Sequence, residues 1–317
     1  MLFITVIGVL FCLTLKGYSG KRLSCFVRGT KDTCLFNLLR MLFCIAIGAI
    51  MVFAEGSHSF LRVEPGMLAI CALSGFSSAA FLICWMLAIR KNSMVSVDVG
   101  LTLGALIPSV LCTLIFGESF SVPKMIGFAM IVLATFVLSG SSKVSKKKSP
   151  IGMILLVLAA VGDGVTGFSQ QLYKHCYTEA GSVAETYYPK TVFHFYTYVF
   201  AALVLLALFA VYHVWEKRID GTDCECNARM PEKSALSVRA VVHIFIMAVC
   251  LFAANYLQTV ATNDLGFSSQ MLYPILKGGC LITVNFTAMI FFGERITKRS
   301  IIGSLIALCG IVTMSVL

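Results

Sequence analysis

Long apolar runs alternate with short polar punctuation along the whole chain. The clear runs are Leu35–Phe53, Gly66–Ile89, Val95–Phe116, Val122–Leu138, Ile151–Leu172, Thr191–Trp215, Ala240–Ala261, Met271–Phe292 and Ile301–Leu317. Most approach or exceed the roughly 20 residues that cross a hydrocarbon core of about 30 Å. Within lipid the backbone has to satisfy its own hydrogen bonds, and the alternating segments of about ten residues that make a barrel are missing, so each run predicts a helix. The opening run, Met1–Leu15, is short for a span and has neither a basic leader nor a small-residue cleavage signal, so a removable signal peptide is not expected. Gly17-Tyr18-Ser19 resembles Gly167-Phe168-Ser169, which lies inside a clear run, and on that likeness helix 1 extends to about Val27. Lys16, Lys21 and Arg22 then sit on the helix; the alternative is a surface loop or a snorkelling position.

The runs number ten, and they fall into two sets of five. Ser139 to Pro150 is small, polar and basic, and divides residues 1–140 from 151–317 as a linker over 141–150. The two sets share a pattern. Phe116-Gly117-Glu118 falls on Phe292-Gly293-Glu294, and the same ungapped shift carries Ile126-Gly127 onto Ile302-Gly303. Because five is odd, a second copy crosses the bilayer in the opposite sense. The expected fold is an all-α membrane protein of ten transmembrane helices in a 5+5 inverted repeat, a pattern that points to transporters.

Composition agrees with this class. The chain has 317 residues, is 58% hydrophobic and only 13% charged, and carries a formal net charge of +10. That excludes an ordinary soluble domain. Most of the 13 cysteines lie inside apolar runs, where Cys acts as a small apolar residue. Cys224-Glu225-Cys226 lacks further ligands nearby, and the five histidines form no i, i+4 pair, so no metal site is expected. Lys and Arg crowd the odd-numbered connections, among them Lys31, Arg40 and the run Lys146-Lys147-Lys148. The even-numbered ones hold only Arg62, Lys124, Lys174 and Lys190. The positive-inside rule then puts the odd connections in the cytoplasm and both termini outside.

The Gly-Glu ends of helices 4 and 9, the polar junctions Ala88-Ile89-Arg90-Lys91-Asn92-Ser93 and Ala261 to Ser268, and Tyr273-Pro274-Ile275-Leu276-Lys277-Gly278-Gly279 carry a resemblance. The chain resembles the drug/metabolite transporter superfamily, EamA-like branch, over nearly its whole length, although many relatives carry an amide where this chain has Lys277. The resemblance implies a secondary carrier with a central cavity between its halves. Relatives usually keep both termini inside, against the charge bias. Known relatives include nucleotide-sugar and triose-phosphate carriers.

Ionisable groups inside spans are the candidate chemistry, because their cost has to be offset by a partner, water or substrate. Lys277 lies in helix 9 beside two glycines, and Asp163 lies mid-span in Val161-Gly162-Asp163-Gly164. Asp163 either binds a proton or cation or is the structural partner of Lys277. Asp98 begins helix 4, where it either couples transport or complements the helix dipole. The expected substrate contacts are Lys277, Lys16, Lys21, Asn255, Gln258, Tyr273 and Gln170, with Asp163 and Asp98 as coupling candidates. Asn255 and Gln258 are three apart and share a helix face. Glu118 and Glu294 read as structural.

Three cations against two carboxylates would favour an organic anion, such as a phosphorylated or carboxylated metabolite, with Lys277 as its main contact. The alternative is a proton-coupled exporter of cationic or neutral drug-like compounds. A different class, an intramembrane protease using Asp98 and Asp163, calls for a Tyr-Asp pair and a Gly-x-Gly-Asp motif, whereas here Val97 precedes Asp98 and Val161-Gly162 precedes Asp163. No enzymatic activity and no cofactor are expected. There is no G-x-x-x-x-G-K-[ST] motif for ATP, so a gradient or exchange is the expected energy source. The expected partners are a small-molecule substrate and the lipid bilayer, with no nucleic acid, for a multi-pass protein of the cell membrane that is a monomer or homodimer.

Overall fold

The structure is a computed structural model that describes residues 2–27, 29–91, 97–98, 101–117, 121–139, 150–178, 187–220, 237–267, 269–293 and 298–315. The linker at 141–149, Cys224-Glu225-Cys226, Glu118 and Glu294 lie outside the described residues. The described chain is helical, with α1 at Leu2–Leu23, α2 at Thr30–Ala54, α3 at Pro65–Lys91, α4 at Leu106–Phe116 and α5 at Val122–Ser139. It continues with α6 at Pro150–Tyr177, α7 at Lys190–Asp220, α8 at Val238–Asn263, α9 at Ser269–Phe292 and α10 at Lys298–Ser315. Seven of these are long and apolar enough to cross a membrane. The apolar stretches Ile107–Phe116, Val122–Val137 and Ile301–Thr313 are shorter. The protein is a multi-pass, all-helical membrane protein.

Helix 1 does continue through Lys16, Lys21 and Arg22. Helix 4 is less regular than its sequence suggests. Residues 97–98 and 101–102 are helical, and a 3₁₀ turn at Leu103–Ala105 leads into the helix at Leu106–Phe116. Both α4 and α9 end on a glycine in the left-handed region, Gly117 at φ 66° and Gly293 at φ 63°. A side chain is strained there, so glycine closes both helices.

Helix pairs organise the bundle. α3 packs along α6, α1 along α8, α2 along α7 and α5 along α10, and α3 also meets α7. The main core joins α1, α2, α3, α6, α7 and α8 through side chains such as Phe36, Met41, Leu82, Trp85, Tyr198 and Met247. The large apolar side chains left exposed, Phe11, Ile50, Leu114 and Val157 among them, suit a surface facing lipid.

Candidate functional site

The glycines around Asp163 explain how a carboxylate comes to lie in the middle of the bundle. A Cβ on Gly162 would sit 2.9 Å from the backbone of Ser77 and Phe81 in α3, and one on Gly164 would sit 2.5 Å from the carbonyl of Gly104. Only with hydrogen at both positions can α6 slot between α3 and the turn before α4. Asp163 is thereby held facing α9, where it accepts a hydrogen bond from the Lys277 ammonium. On α9, Gly278 and Gly279 bring that helix against Ile311 and Leu10. The glycines therefore serve close packing on both helices. Pro274, one turn before Lys277, lacks an N–H and leaves the backbone carbonyl of the preceding turn without its usual donor.

This pair lines a narrow cleft of about 50 Å³, room for little more than water and well short of the roughly 300–1,000 Å³ of small-molecule sites. Lys16, Gln170, Tyr198, Asn255, Gln258 and Tyr273 also line it, so six of the seven expected substrate contacts converge there. The Tyr273 hydroxyl oxygen lies 2.9 Å from both the Gly167 carbonyl and Gln170 Oε1, and with one proton it donates to one at a time. Asn255 Nδ2 donates to the Tyr198 hydroxyl at 3.1 Å. Apolar side chains such as Leu13, Phe81, Leu82 and Leu276 complete the wall. A smaller cavity adjoins through Leu13, Lys16, Phe81 and Lys277, and adds Trp85, Asp98 and Cys280.

These contacts bear on three of the expected residues. Lys21 is absent from the cleft lining: its Nζ donates to the Ile89 carbonyl at 3.1 Å, in the last turn of α3, where a helix has acceptors to spare. Lys277 is taken up by Asp163, so it does not face the cleft as a lone cation. Asp98 points into the smaller cavity, beside the two lysines, and its Oδ2 is buried without a hydrogen-bond partner among the described residues.

Lys16 emerges as the cation that remains available. Its residue is 9% exposed, and its ammonium lies 5.3 Å from the Phe81 ring centre and 5.9 Å from that of Trp85. Among the described residues it forms no ion pair. Aromatic faces hold a cation while leaving its donors free for another acceptor.

The charge pattern groups Arg40 with the loop cations, whereas the structure buries it. Arg40 is 0% exposed within α2. The signal was present, since Asn37, Arg40 and Cys44 fall at i, i+3 and i+7 and so share one face of a helix inside an apolar run.

Several other polar residues bond to one another or to the backbone. Asn285 donates to Ser304 on α10, Tyr173 donates to the Tyr188 carbonyl at 2.6 Å, and His194 pairs with Thr259 at 3.0 Å. Where α2 ends and α7 begins, Glu55 accepts from Thr191 at 3.0 Å and from Tyr256 of α8 at 3.2 Å, and Lys190 pairs with Asp264. These contacts tie three helices together at one end of the bundle.

No family model and no curated protein matches the chain. Solved structures do match. One, titled only as the crystal structure of a protein, is similar with a TM-score of 0.66 and 13% identity, covering 97% of this chain and 95% of its own. The likeness is one of fold. It extends over essentially the entire chain, including every helix that lines the cleft.

Proposed function

We propose that the protein is a secondary transporter that moves a small organic anion across a membrane by alternating access, of the drug/metabolite transporter type and EamA-like in arrangement. The observation that carries this reading is a polar, charge-bearing cleft lined by α1, α3, α6, α8 and α9 at mid-helix depth. Ionisable groups are rare at such depth, and they mark solute and ion pathways when they face a cavity.

A ten-span 5+5 inverted repeat accounts for the helix packing. Exchanging helices 1–5 with 6–10 carries the α1–α8 pair onto α6–α3 and returns the α2–α7 and α5–α10 pairs to themselves. It also carries Gly117 onto Gly293, two glycines with the same backbone conformation. Repeats of this kind place the substrate at their interface, which is where the cleft lies. The contacts of Glu55 and of Lys190 with Asp264 supply a closed end for alternating access.

Lys16 is the proposed main charge contact, with Gln170, Tyr273, Asn255 and Gln258 reading the polar body of the solute. The Lys277–Asp163 pair favours a second reading, in which proton binding to a carboxylate drives export of a cationic or neutral compound. Counterflow in liposomes holding the purified protein separates the two. Exchange of phosphorylated or carboxylated metabolites, lost in Lys16→Gln, is the expected result. Exchange of cationic compounds alone, driven by a pH gradient, would establish the second reading; peptide cleavage without exchange would end both.

A further inference from the structure

Arg40 is a permanent cation inside the bundle that lies outside the lining of the cleft and of the smaller cavity. Its guanidinium carbon lies 5.7 Å from the Trp85 ring centre, and its Nη2 lies 3.7 Å from Met247 Sδ. Its Nε and Nη1 have no hydrogen-bond partner among the described residues, and neither does Oδ1 of Asn37 one turn away. No carboxylate among the described residues comes within ion-pair distance. Arginine does not shed its proton in proteins, so the charge persists. A cation that only held helices together would be expected to have a carboxylate or a set of carbonyls around it. Arg40 has an indole face and a thioether.

Trp85 links Arg40 to the cleft. The same ring carries the Lys16 ammonium at 5.9 Å, and it lines the smaller cavity with Lys16, Asp98 and Lys277. Lys16, Lys277 and Arg40 thus stand against Asp163 and Asp98. The Lys277–Asp163 pair cancels, and Asp98 offsets only one of the remaining cations.

We infer that Arg40 is a specificity-determining residue of the cleft: its charge, held behind Trp85, gives the site a net positive field that favours a negatively charged solute over a neutral one and repels a cation. The inference rests on reading the cleft as a solute site. A unit charge about 10 Å from a bound anion, at an effective dielectric of about 20, changes affinity by roughly tenfold, so Arg40 can act without touching the solute.

Thermal unfolding of the purified protein in detergent tests this, with glycerol 3-phosphate, inorganic phosphate and citrate as anions, glycerol as the uncharged counterpart and choline as the cation. A ligand that binds the folded state raises its Tm. Expected are a Tm rise with at least one anion for the native protein and for Arg40→Lys, and a loss of roughly tenfold or more in apparent affinity for that anion in Arg40→Met. The unliganded Tm of Arg40→Met should equal or exceed the native one, because an unpaired buried charge has been removed. A lower unliganded Tm in Arg40→Met with its anion response intact makes Arg40 structural and overturns the inference. So does loss of the anion response in Arg40→Lys, which keeps the charge and decides the matter if Arg40→Met does not fold. A native protein stabilised by none of the three anions overturns it as well. Anion binding that depends on Arg40, without counterflow in liposomes, would sink the transporter reading and leave this one standing.

Discussion

Lys277 on α9 donates a hydrogen bond to Asp163 on α6, across 114 positions of sequence. Both side chains are largely withdrawn from solvent, 17% and 21% exposed, so neither can lose its partner cheaply. Breaking a buried pair from one side costs about 3–5 kcal/mol, whereas replacing both partners together is often close to neutral. Asp163→Asn and Lys277→Gln should each lower the Tm markedly, and the double variant should recover much of that loss. A double variant that loses as much stability as the two single variants summed would show that the two residues act independently.

The seat of Asp163 depends on Gly164. A Cβ there would lie 2.5 Å from the Gly104 carbonyl, and backbone cannot move aside as a side chain can. Gly164→Ala should cost about 1–3 kcal/mol, in the range of overpacking, and should weaken substrate exchange beyond its effect on protein level. Gly29→Ala is the control, since Gly29 has φ −156° and nothing within 4 Å of the added carbon. It should lower the Tm less than Gly164→Ala does, the loss being limited to a weaker N-cap of α2.

At the tied end of the bundle, two contacts of different strength can be compared. Lys190–Asp264 is a surface pair, with Asp264 48% exposed, and is worth about 0–1 kcal/mol. Glu55 accepts two hydrogen bonds, from Thr191 and Tyr256, each worth about 0.5–1.5 kcal/mol or more where the acceptor is charged. Glu55→Ala should therefore speed hydrogen exchange at the start of α7 more than Lys190→Ala does. High salt should erase most of the Lys190 effect and little of the Glu55 effect. The reverse order would mean that the ion pair holds this end.

An inverted repeat places the turns after Gly117 and Gly293 on opposite sides of the membrane. Val122→Cys and Lys298→Cys, at the starts of α5 and α10, should be labelled by a membrane-impermeant maleimide from opposite faces. Labelling of both from one face would remove the repeat. The charge bias still holds once Arg40 is moved from a loop to the interior, and on that bias a C-terminal reporter that works only in the cytoplasm should stay silent.

The sequence by itself determined the solvent and the helices. In lipid a backbone has no partner but itself, so an apolar run of spanning length has to be a helix, and the observed elements follow the runs from α1 to α10. It also singled out Asp163, Lys277 and Lys16, because a charge in such a run is conspicuous without any knowledge of its neighbours. Hydrophobic pattern says which residues share a helix face, but it does not say which other helix that face meets. Only the tertiary structure could pair Lys277 with Asp163, turn Lys21 to the Ile89 carbonyl and put Lys16 and Arg40 on one indole ring. The physical reason is that a helix forms from contacts a few residues apart, whereas the partner of a buried charge is chosen by how whole helices pack.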